Sequence, residues 1–204
     1  HEPARIKLPT QLDRDVKQHS EIVATEVMSR LNTDLGLGME AIEAAGLSLE
    51  QQRLLARQAE RALAEGANTD WADLGIAFLE MGLFEAAALT FENLAQLIAF
   101  ERATTESPAA SIAVLIQAYG LLAQARMGAG HYHEAIASLQ PIVRDLDFSA
   151  TQKIDAFYLM AAAYEKLGQI DDAIVWLGQV LALDVTYRDA STRLAQLNRT
   201  RGAP

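Results

Sequence analysis

One pattern, written three times with the same internal spacing, limits what this chain can become. The first copy runs Trp71, Leu74, Gly75, Phe78, Gly82, Ala87, Phe91. The second runs Tyr119, Leu122, Ala123, Arg126, Gly130, Ala135, Leu139, and the third Phe157, Met160, Ala161, Tyr164, Gly168, Ala173, Leu177. An aromatic residue opens each copy, and a large apolar and a tiny residue follow three and four positions later. Offsets of three and seven put the bulky side chains on one face of a helix. The tiny residue lets a neighbouring helix approach. The glycine can take the left-handed conformation that ends the first helix and turns the chain. The later alanine and apolar residue then face back from a second, antiparallel helix. Composition agrees, since 37 alanines against five prolines and twelve glycines favour helix over turn-rich sheet.

These segments resemble tetratricopeptide repeats, whose pattern is W-x₂-L-G-x₂-Y followed by A-x₃-F. Trp71-Ala72-Asp73-Leu74-Gly75-Ile76-Ala77-Phe78 matches closely, the third copy matches well through Asp184, and the second departs at Arg126. The resemblance covers roughly residues 68–187, with repeats at 68–106, 108–147 and 149–187. It implies an all-α fold, a right-handed superhelical solenoid of antiparallel helix pairs. The spacing is irregular: the turn glycines lie 48 and 38 residues apart, against about 34 in the family. The first interval therefore carries fourteen extra residues, predicted to lengthen two facing helices by about two turns each, with Ser107-Pro108 at the join. Pro141 falls inside the second repeat's second helix and is expected to kink or fray it near Ala137.

Outside the repeats, residues 1–67 read as an N-terminal arm, His1–Pro9, followed by capping helices. Helices are predicted over 12–33 and 39–45, and Ser48-x-x-Gln51 forms a capping box opening a helix to Glu65. Residues 188–204 read as a C-terminal capping helix and tail, with Leu194 and Leu197 facing inward. Such caps cover apolar faces that the end repeats would otherwise expose. The chain begins at His1 rather than Met, which leaves open an upstream segment, a tag or a signal peptide. The cytoplasm is the favoured setting and the periplasm its alternative.

Catalytic motifs are lacking, so the chain reads as non-enzymatic, with no cofactor and no metal. Absence of cysteine excludes disulfides and Cys-ligated metal. His131 and His133 diverge on a helix at a spacing of two, and read as turn residues. Asp171-Asp172 and the Glu101/Glu106 pair read as solvated helix ends. No apolar run approaches the roughly 18 residues of a membrane span. A net charge of −10 argues against nucleic acid. That charge is uneven: residues 66–187 hold 15 acids and 5 bases, whereas residues 188–204 hold one acid and four bases.

The resemblance also implies where a partner would sit. In the family, outward positions on each repeat's first helix line a concave groove. Here those positions are Thr69, Ala72, Ile76, Leu79 and Glu80, then Gln117, Gly120, Gln124 and Met127, then Asp155, Tyr158, Ala162 and Glu165. Family members that grip a C-terminal carboxylate do so with groove cations, and no cation stands at these positions. The lining suits an uncharged or basic polypeptide segment with an apolar anchor. Three roles fit: a protein-binding adaptor or scaffold, which leads; a secretion-type chaperone shielding an apolar client segment; and a scaffold that self-assembles through its C-terminal helix or N-terminal arm.

Overall fold

The computed structural model describes residues 48, 50–54, 57, 70–104 and 109–202, and every regular element among them is an α-helix. The arm His1–Pro9, the helices expected at 12–33 and 39–45, and the Ser107-Pro108 join lie outside these residues. The helices are α1 (Asp70–Glu80), α2 (Phe84–Thr104), α3 (Ala109–Gly128), α4 (Tyr132–Arg144), α5 (Ile154–Lys166), α6 (Ile170–Leu183) and α7 (Ala190–Arg201). Two compact units divide the chain, His1–Leu94 and Ala95–Pro204, with the division falling inside α2.

In the first unit, α1 and the start of α2 form a hairpin around Leu74, Phe78, Ala87 and Phe91, all fully buried. A Cβ built on Gly75 would lie 2.6 Å from Cε1 of Phe91, so the tiny residue of the pattern is required by the ring against it. The capping box forms as expected. Ser48 N–H donates to Oε1 of Gln51 at 2.8 Å, and Gln51 N–H donates to Oγ of Ser48 at 3.3 Å. The neighbouring Gln52 accepts the Glu85 N–H at 3.2 Å, satisfying one of the donors that the start of α2 leaves open.

In the second unit, α3 packs on α4, α4 on α5, α5 on α6 and α6 on α7, while α3 also meets α5. The pattern positions again form the core: Leu122, Ala123, Ala135 and Leu139 in one hairpin, Met160, Ala161, Ala173 and Leu177 in the next. Burying a leucine such as Leu139 or Leu177 stabilises by about 1.5–3 kcal/mol relative to leaving it in water. Trp176 packs on Phe157 with ring centroids 5.5 Å apart.

All three turn glycines adopt the left-handed conformation, with φ of 72°, 81° and 72° at Gly82, Gly130 and Gly168. Each donates to the carbonyl three residues back, and the next residue donates to the carbonyl five back. This doubled closure satisfies carbonyls at the helix end. The fourteen extra residues went into helix: α2 has 21 residues and α3 has 20, against 13 in α4 and in α5. The four extra residues of the second interval fall instead in the α4–α5 connection, which buries Phe148. There Arg102 donates to Asp145 and Asp147, each at 2.8 Å, and its guanidinium lies 4.8 Å from the Phe148 ring centre. The buried Lys153 donates to the Val143 carbonyl at 3.1 Å and to the Asp145 carbonyl, closing the end of α4.

Two expectations change. Helix α4 runs without interruption through Pro141 to Arg144. The proline removes one donor, the partner of the Ala137 carbonyl; Ala137 is exposed, so solvent can take that donor's place. The C-terminal helix begins at Ala190 rather than Arg188, because Arg188 takes a positive φ of 43° that no right-handed helix accommodates.

Candidate partner-binding face and the C-terminal clasp

Helix α3 carries Arg126 as its one charged residue among twenty. Ala113, Val114, Gln117 and Gln124 are exposed on it, and Gly120 and Met127 are half-buried. The two amides stand seven residues apart on one face, a rise of about 10 Å. A Cβ on Gly120 would lie 3.8 Å from Cδ1 of Leu159, so this face borders α5 at ordinary contact distance. Arg126 itself turns inward, donating to Oγ of Ser138 at 2.5 Å and to the Glu134 carbonyl at 3.3 Å. In the first unit, Ala72, Ile76 and Leu79 are half-buried and Glu80 is exposed; Thr69 lies outside the described residues.

On α5, Asp155 is exposed while Tyr158, Ala162 and Glu165 are half-buried. Three of these four already have partners, and all the partners come from the segment leading into α7 or from α7 itself. Asp155 accepts from the Tyr187 hydroxyl and, at 2.7 Å, from Arg188. The Tyr158 hydroxyl donates to Asp189 at 2.6 Å. Glu165 accepts two bonds from Arg193, at 3.1 Å from Nε and 2.5 Å from Nη2. The Tyr158 ring also has the Arg188 and Arg193 guanidiniums each 5.0 Å from its centre. Further along, Arg201 pairs with Asp171 at 3.0 Å.

This clasp shifts titration as its contacts dictate. Burial, reinforced by the Asp189 carboxylate, pushes the Tyr158 phenol up, and burial with Asp155 does the same to Tyr187. For Arg193, burial works against the charge, but Glu165 and the Tyr158 oxygen outweigh it and hold the guanidinium above the usual arginine value. The clasp residues Tyr187, Arg188, Asp189 and Arg193 are absent from the site read off the sequence. The signal that pointed toward them was the basic tail opposite acidic repeats.

Among the described residues, no group of histidine, aspartate and glutamate is arranged to hold a metal ion. None of their helices is long and apolar enough to cross a membrane. His131 is half-buried beside Glu134, with Nδ1 3.8 Å from the carboxylate, and His133 is exposed.

A family model described as a tetratricopeptide repeat matches residues 154–184, the span of α5 and α6. This segment is similar to a tetratricopeptide repeat. No curated protein matches the sequence. The matched hairpin is the third copy of the pattern, and its turn at Gly168 has the same left-handed closure as those at Gly82 and Gly130. Among the described residues the chain is therefore all-α and of helical-repeat build. Tetratricopeptide repeats serve generally as protein–protein interaction modules, and the family is typically a non-enzymatic scaffold.

Proposed function

We propose that this chain is an adaptor that holds a polypeptide segment against the first helices of its repeats. The observation that carries this reading is the exposed, uncharged strip on α3, in a chain of net charge −10. A charged strip would serve solubility. This one presents amide groups and small apolar side chains, which suit hydrogen bonds to a main chain and contact with an apolar anchor. Gln117 and Gln124 bond the segment's backbone, Gly120 forms the floor between them, and Met127 continues it beyond Gln124. Asp155, Tyr158 and Glu165, with the two carboxylates already met by Arg188 and Arg193, add an aromatic and polar border. The preference for uncharged or basic segments over acidic ones rests on the chain's net charge of −10. Ala162 keeps the space between those side chains open. In the first hairpin, Ala72, Ile76, Leu79 and Glu80 have the corresponding role on its own first helix, with Thr69 preceding it in sequence.

A displayed peptide library selected on the wild-type chain tests this. Selected peptides should be uncharged or basic with a large apolar residue. The double variant Gln117→Ala/Gln124→Ala should bind them roughly tenfold more weakly, the worth of one or two hydrogen bonds. Its melting temperature should not change, because both amides are exposed. Selection of acidic peptides, or unchanged affinity in the double variant, would overturn the reading.

A further inference from the structure

Helix α7 has a small apolar seat and a large polar one. Ala190 and Leu197 are buried and Leu194 is partly buried, in a cluster with Phe157, Ala161, Ala173, Leu177 and Val180. The remaining hold comes from Arg188 on Asp155, Tyr158 on Asp189, Arg193 on Glu165 and Arg201 on Asp171. Loss of α7 would bare the cluster, so any stable form with α7 displaced needs an equivalent helix in the same seat. An equivalent must offer apolar residues at the spacing of 190, 194 and 197 and arginines at the spacing of 188, 193 and 201. A second copy of this chain supplies all of them.

The connection between α6 and α7 favours such an exchange. It is six residues long, and Arg188 within it holds a φ of 43°, a region disfavoured for a residue with a side chain. Straightening the connection relieves that conformation. Leu183 and Val185, at its start, are 39% and 74% exposed, and in an extended connection lying beside its twin they gain a cover. A short connection under strain is the condition under which copies swap elements.

We propose that α7 exchanges between two copies of this chain, each α7 seating on the other copy's α5–α6 hairpin. This goes beyond the adaptor reading and does not depend on it. The swapped dimer keeps the contacts of α7 itself, Arg193 on Glu165 and Arg201 on Asp171 among them, relieves two strained residues and covers two pairs of apolar side chains. Its formation is slow, because α7 must first detach.

Charge reversal tests the exchange. In Glu165→Arg alone and in Arg193→Glu alone, the paired side chains carry like charges, whether within one chain or in a homodimer. In a mixed swapped dimer both pairs are opposite again. Combining the two variants and warming them should give a species of twice the monomer mass containing one chain of each. Two separate monomers after mixing would overturn the proposal. Independently of how those variants fold, Arg188→Gly should raise the dimer dissociation constant about tenfold by removing the strain from the monomer. Arg188→Ala, which loses the same side chain but keeps the strain, should leave that constant near the wild-type value. Equal constants for these two variants, or a wild-type chain that stays monomeric at millimolar concentration, would equally refute the exchange.

Discussion

At the scale of single residues, two glycines in the repeats have opposite meanings. A Cβ on Gly75 would lie 2.6 Å from the Phe91 ring, which is fully buried. Gly75→Ala should therefore cost about 1–3 kcal/mol by overpacking. Gly120 faces only Cδ1 of Leu159, at 3.8 Å from its Cβ position. Gly120→Ala should stabilise α3 by roughly 0.5–1 kcal/mol, since alanine gives up less backbone entropy in a helix. Denaturant midpoints for the pair should move in opposite directions; a shift of the same sign would mean that the packing around one of them is misread. The close approach at Gly75 was legible in the sequence, because the pattern puts a tiny residue at that offset in every copy. The engagement of Tyr158 was not. Its bond to Asp189 spans 31 residues and has no periodic signature, so a side chain read as lining for a partner is also a fastening for α7.

At the scale of elements, the glycine spacing predicted both the turns and the lengthening of α2 and α3 by about two turns each. Hydrophobic periodicity and the left-handed turn are local physics, which a sequence displays directly. The α4–α5 connection was not legible, because its order comes from Arg102 on a different helix. The Arg102 hydrogen bond holds the Asp145 carboxyl below its ordinary value of 3.8, against the opposing effect of burial. A lowered folded value means that this stabilisation is complete above the unfolded value and is lost as pH falls through the folded one. Arg102→Met should thus melt below wild type at neutral pH, and the gap should narrow as pH drops below 3.8. A gap that stays constant under acid would show that Arg102 acts through its packing on Phe148 and not through its charge.

At the scale of the whole molecule, charge is divided by role. The tail's arginines neutralise Asp155, Glu165 and Asp171, while α3 leaves an exposed strip without charge. One region is fastened and the other open, which is the arrangement expected if partners are taken up on α3. Backbone amide shifts of the isotope-labelled chain, followed while a peptide selected on the wild-type protein is titrated in, test this most directly. The account predicts saturable shifts centred on Gln117, Gly120, Gln124 and Met127. Unchanged signals there, with shifts instead on the outer side of α6 at Val175 and Gln179, would contradict it.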